Sequence, residues 1–246
     1  MFAMRYCILS LCLLAAFFSA APCPAAEAEQ DKKVQAEQKH KESVEQAKKK
    51  PSEQAQKNHL ERGIALYQNE KYDEARAIWE AGEKAGDLDC TMMLGAYIHS
   101  AGRGAPQNDK KAFALYMQAA RKKHAEGMSV VGGCYLYGVG VAKDTTKGLE
   151  WLTKAANAGN TAASAELGDL YANGGSVKQN IKLAAKWHLK AAEDGHPQSQ
   201  LYMGKAYMQG DGVEMDNAAA KEWLQKALDG GEESAKALLE KLQSSQ

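Results

Sequence analysis

The chain has 246 residues, 45% hydrophobic and 25% charged, which is enough apolar material for a packed domain or an extended array. Its 31 basic and 31 acidic side chains cancel. No overall field is left to attract nucleic acid or an anionic membrane surface, so the choice of partner is local.

The chain opens with Arg5, an apolar run from Ile8 to Phe18, and small residues between Ser19 and Ala28. This order predicts a secretory signal over residues 1–26. The run falls short of the roughly 20 apolar residues a spanning helix needs. Leu11 precedes Cys12 and Pro22 precedes Cys23, so neither cysteine has the small neighbour that lipidation requires. The expectation is a periplasmic or secreted protein of a bacterial cell envelope, with no stable membrane insertion after cleavage.

Residues 27–51 are dominated by Lys, Glu and Gln, with Val34 and Val44 as isolated large apolar residues. They bury too little surface to offset the entropy of ordering and read as a charged, disordered linker. Lys48 to Lys50 is diluted by Glu42, Glu45 and Glu53. Residues 52–87 follow as an amino-terminal unit, with Gly63, Ala75, Trp79 and Gly82 placed around a short turn from Asn69 to Tyr72.

From there the chain repeats at an interval of 36 residues. Gly102, Gly138, Gly174 and Gly210 form one column, and Gly104, Gly140, Ser176 and Gly212 stand two residues later. Asn108, Asp144, Asn180 and Asp216 form another. Downstream lie Ala112, Gly148, Ala184 and Ala220, then Leu115, Trp151, Trp187 and Trp223, then Ala119, Ala155, Ala191 and Ala227. A period of this size is that of a solenoid whose units bury their apolar faces by stacking.

Within a unit, Ala163, Leu167, Gly168 and Tyr171 share one helical face and predict a helix A. Gly174 ends it, because glycine takes the left-handed conformation at no steric cost. The Asn or Asp column supplies an oxygen for the first N–H groups of a helix B. Lys186, Trp187, Ala191 and Ala192 continue that helix, with Trp187 as the large core residue buried against both neighbours. The fold class is therefore all-α, a solenoid of helix hairpins. At the end, Ala235, Leu238, Leu239 and Leu242 make an apolar stripe opposite Lys236, Glu240 and Lys241, as a capping helix requires.

Leu167-Gly-Asp-Leu-Tyr, the Gly-x-Gly-Val turn of Gly210 to Val213, and Trp-x-x-Lys-Ala-Ala at Trp151 to Ala156 resemble the Sel1-like repeat family. Its units are relatives of tetratricopeptide repeats with a longer internal loop. The resemblance implies a right-handed α/α solenoid over residues 52–246. A tetratricopeptide-like unit at 52–87 has that shorter repeat's spacing. Sel1-like repeats follow at 88–124, 125–160, 161–196 and 197–231, and a capping helix at 232–246. Three departures stand out: Leu115 replaces Trp, Gly175-Ser176 alters the third loop, and one extra residue lies between Gly95 and Gly102.

The resemblance implies a non-catalytic scaffold that binds a protein or peptide partner; the alternative is a cell-wall or β-lactam hydrolase, as labelled in the family's cysteine-rich branch. The chain has no Ser-x-x-Lys, no His-Glu-x-x-His, no phosphate loop and no Gly-x-Ser-x-Gly elbow. Its Gly-x-Gly segments follow a helix and not a strand, against nucleotide binding. No catalytic residue, metal site or cofactor is expected. His188 reads as a partly exposed packing residue, since His40, His59, His99, His124 and His196 form no close cluster with it in sequence. Met92, Met93, Met128, Met203 and Met208 read mainly as core filling.

Only Cys90 and Cys134 of the five cysteines fall in repeats. Their seven-residue offset in register corresponds to about 10 Å along parallel helices, too far for a disulfide, so both should be buried free thiols.

In solenoids of this kind the A helices line the concave side. The residues there that lie outside the packing set are Val130, Gly133 and Tyr137, then Glu166, Asp169 and Asn173, then Tyr202, Lys205 and Gln209. Their spacings of three and four share a helical face. Tyr137, Glu166, Asp169, Asn173, Tyr202, Lys205 and Gln209 are the candidate partner-binding residues.

Overall fold

The computed structural model describes the backbone of residues 53–100 and 106–244 and the side chains of 58–97 and 106–244. The expected signal and linker lie outside these residues, as do Gly102 and Gly104. The described residues are helical, without strands. They comprise α1 (Glu53–Gln68), α2 (Tyr72–Lys84), α3 (Leu88–Met93) running into a π-helical turn (Leu94–Ser100), α4 (Asp109–Arg121) and α5 (Ala125–Tyr137). Then come α6 (Thr145–Asn157), α7 (Thr161–Asn173), α8 (Ile181–Glu193), α9 (Pro197–Gln209), α10 (Asn217–Asp229) and α11 (Ser234–Ser244). The main contacts join consecutive helices, as in an α/α solenoid.

In the four 36-residue repeats both kinds of helix start on a side-chain cap, whereas α2 has none. Asn108, Asp144 and Asn180 each accept from the backbone N–H three residues on, and Asp216 from those of Ala218 and Ala219. The A helices have a cap column of their own: Asp87, His124, Asn160 and His196, the two histidines accepting at Nδ1. Gly138 and Gly210 end α5 and α9 in the left-handed conformation, whereas Gly174 has φ 73° and ψ −145° and sends the third loop along another path. Gly140 and Gly212 let the loops after α5 and α9 lie on the preceding B helix. A Cβ there would fall 2.1 Å from the Asp109 carbonyl oxygen and 2.5 Å from that of Ile181.

Within each hairpin a glycine on helix A receives one large residue from helix B. The pairs are Gly95 with Tyr116, Gly132 with Leu152, Gly168 with His188 and Gly204 with Leu224, where an added Cβ would come within 2.4–2.7 Å of the partner. Gly63 and Trp79 do the same in the first hairpin, and Trp79 is fully buried.

This pairing corrects two expectations. Trp187 is only partly buried, and His188 is the core residue at 3% exposure. Successive residues turn about 100° around a helix, so the ring at 188 meets the glycine while that at 187 covers the edge. Trp151, Trp187 and Trp223 lie beneath Lys154, Lys190 and Lys226, with each ammonium 4.5, 5.8 and 4.2 Å from its ring centroid. Lys190 also donates to the Ala156 carbonyl at 2.6 Å, which ties α8 to the end of α6.

The extra residue before Gly102 lies in the π-helical turn. Wider winding accommodates an inserted residue without displacing the helix behind it. Cys90 and Cys134 are buried and free, as expected. Burial pushes both thiols up, Cys134 to about 11, and Asp87 adds to the effect on Cys90. Met92, Met128 and Met203 are buried, while Met93 and Met208 pack at the margins. Ala235, Leu239 and Leu242 of α11 close the apolar end of α10, with Leu238 alongside.

Candidate functional site

The candidate residues come from the ends and middles of α5, α7 and α9. Tyr137 is 67% exposed at the end of α5, and its hydroxyl donates to Glu166 Oε1 on α7 at 3.4 Å. One turn along α7, Asp169 stands at a pocket of about 150 Å³ whose walls include His188, His196, Ser199, Tyr202 and Lys205. The structure therefore joins Tyr137 to Glu166, and Asp169 to Tyr202 and Lys205. Asn173 and Gln209 are exposed at the ends of their helices and do not line the pocket.

Burial raises the carboxyl pKa of both Glu166 and Asp169. For Glu166 the Tyr137 hydrogen bond opposes that rise and the Asp169 charge adds to it; for Asp169 the charge of His196 opposes it. The phenols of Tyr137 and Tyr202 are also raised, by partial loss of hydration first and nearby carboxylates second.

Behind these residues is a network that the sequence reading missed. His188 and His196 meet at Ser199, whose Oγ lies 3.2 Å from His188 Nδ1 and 2.9 Å from His196 Nδ1. The Ser199 backbone N–H donates to His196 Nδ1, so that nitrogen carries a lone pair. With that lone pair engaged, the Ser199 hydroxyl stands between the two rings, and its direction follows the His188 tautomer. His188 Nε2 is buried, makes no hydrogen bond and faces Asp169 Oδ1 at 3.6 Å. Burial, with the charge of His196 second, lowers the His188 pKa to about 4, so the ring is neutral at pH 7. Tyr202 stacks on it, with centroids 3.9 Å apart.

Ser199, His188 and Asp169 resemble a nucleophilic triad only in composition. Ser199 is 1% exposed and its Oγ is enclosed between the His188 and His196 rings, so its oxygen is not presented to a substrate. Among the described residues no group of three or more His, Cys, Asp or Glu is placed to hold a metal ion, and no helix is long and apolar enough to cross a membrane. The signal that could have revealed the network is the repeat itself. His188 occupies the column of Tyr116, Leu152 and Leu224, and His196 the cap column of Asn160, one turn from Ser199.

The Sel1 repeat family model matches residues 88–124, 125–160, 161–196 and 197–232. The chain is similar to a Sel1 repeat protein from Oxalobacter formigenes, with 30% identity over 69% of this chain and 49% of that one, at a TM-score of 0.64. It is also similar to c5321, a protective antigen present in uropathogenic Escherichia coli strains and displaying an SLR fold. The identity there is 25% over 75% of this chain and 40% of that one, at a TM-score of 0.67. The immunity protein Pa5087 from Pseudomonas aeruginosa shares the fold at 23% identity, over 77% of this chain and 71% of that one, with a TM-score of 0.51. The chain thus spans half or less of the first two relatives. Among curated proteins none matches it significantly. Repeat period, hairpin packing and matched units agree: the chain belongs to the Sel1 repeat family, whose members are typically non-catalytic protein-interaction scaffolds.

Proposed function

We propose that this protein is an exported scaffold that performs no chemistry and holds a peptide segment of a partner along the A-helix face. Tyr137, Glu166, Asp169, Asn173, Tyr202, Lys205 and Gln209 make the contacts. The observation that carries this reading is that polar contacts cross from one A helix to the next. Tyr137 of α5 reaches Glu166 of α7, and Asp169 of α7 shares a pocket with Tyr202 and Lys205 of α9. Three units thus contribute to one surface, while the positions that repeat faithfully are the packing ones, the division expected of a repeat scaffold fitted to a particular partner.

Aromatic anchors flanking carboxylates are well suited to a peptide, since truncating a central anchor often costs about 2 kcal/mol or more of binding. The apolar run before residue 26 supports export, and a protective antigen among the relatives fits an exported protein. The test is a selection from a random displayed peptide library on the immobilised protein. The reading expects selected peptides whose affinity for Tyr202→Ala/Asp169→Ala falls at least tenfold, with the melting temperature nearly unchanged. Peptides that bind the double variant as tightly as the parent, and are released by substitutions on the outer faces of the B helices, would overturn it.

A further inference from the structure

Gly133, in the second half of α5, is a glycine that the packing of this chain does not require. A Cβ added there would meet no atom within 4 Å, whereas at every other glycine inside a described helix it would come within 3.0 Å of a neighbour. An interior glycine weakens a helix relative to alanine. Asp169 and Lys205 hold the same position in the next two repeats, so the fold accepts a full side chain there.

Five other glycines on the A helices show what such a gap does. Gly63, Gly95, Gly132, Gly168 and Gly204 receive Trp79, Tyr116, Leu152, His188 and Leu224, and each of those residues stands on a helix lying against the glycine. Where the Cβ is missing, two helices come close enough for one large side chain to rest on the backbone. Gly133 follows Gly132 by one residue, about 100° further round α5, and so repeats the gap on another face with no occupant from this chain.

The surroundings of that gap are apolar, with an acidic rim. Val130 and Tyr137, three residues before and four after, share its helical face. Val130 is only partly buried against the core, and Tyr137 is 67% exposed. The Tyr137 hydroxyl donates to Glu166 Oε1, which ties the exposed ring to α7. No lysine or arginine among the described residues pairs with Glu166.

We infer that Gly133 is the socket for a helix of the bound partner, which lays one large apolar side chain on the glycine between Val130 and Tyr137 and places a basic residue at Glu166. The assignment rests on the scaffold reading and adds that the bound segment is helical where it crosses α5.

The probe is a displayed library of alanine-rich helical peptides with one randomised face, selected on the full chain, and the binders are then titrated by calorimetry. Selected peptides carry leucine, methionine, phenylalanine or tryptophan on that face, and its replacement by alanine weakens binding at least tenfold. Gly133→Leu fills the socket from within and weakens binding as much. The two losses do not add, because both remove one contact. Gly133→Ala raises the melting temperature, and Glu166→Gln weakens binding about threefold. Recovery of no binder, peptides that bind Gly133→Leu as tightly as the parent, or a melting temperature lowered by Gly133→Ala overturns the inference. So does a dimer of the parent that Gly133→Leu dissociates, since a second copy then fills the socket. If the peptides depend on Tyr202 and Asp169 but ignore Gly133, the socket falls and the scaffold reading stands.

Discussion

At position 188 packing and solvation oppose each other. The ring fills the space beside Gly168 as leucine does beside Gly132 and Gly204, but its nitrogens lose water. An unfolded histidine titrates near 6.5, whereas folded His188 stays neutral down to about 4. As pH falls through that window the unfolded chain takes up a proton that the folded one refuses, and stability is lost. Glu166 and Asp169, with raised pKa, act in the opposite sense and regain stability on acidification. Comparison with His188→Leu cancels their share. Thermal melts of the two proteins between pH 7 and 4 should show a steeper loss for the parent, and equal slopes would mean that His188 is not buried as a neutral ring. A second prediction concerns Lys123, which has φ 64° at the turn where the other units place Gly86, Gly159, Gly195 or Gly231. Lys123→Gly should raise stability by about 0.5–1 kcal/mol in denaturant unfolding, since the left-handed conformation costs a side chain and not a glycine.

At the level of the helix the apolar columns were readable because they repeat, and the helix B cap column was readable because only Asn and Asp fill it. The A-helix caps were obscured by variety, with Asp87, His124, Asn160 and His196 performing one task through different side chains. The tryptophan column was misread for a physical reason: a large side chain need not be the most buried one when a neighbour meets a glycine. Leu152→Ala should therefore cost about 2–5 kcal/mol, as buried leucines do. Lys178→Ala should stay within about 0.5 kcal/mol, as exposed positions do. Equal losses in chemical denaturation would contradict the hairpin register. The inserted residue of the first repeat was visible as a slip in the count, but nothing in the composition of Leu94 to Ser100 announced that a π turn would absorb it.

At the scale of the molecule, family and architecture follow from the period, whereas the site depends on which side chains meet across neighbouring helices. Glu166 and Tyr137 are 29 residues apart and His188 and Ser199 are 11 apart, separations that do not match the 36-residue period. Export makes its own prediction: intact-mass measurement of protein recovered from the periplasm or medium should show a chain lacking about the first 26 residues. An uncut amino terminus would remove that part of the account. Amide hydrogen exchange of the protein with and without a library-selected peptide locates the face that binds. Added protection is expected in α5, α7 and α9, centred on residues near Tyr137, Asp169 and Tyr202, with α6, α8 and α10 unchanged. Protection confined to the B helices would contradict it.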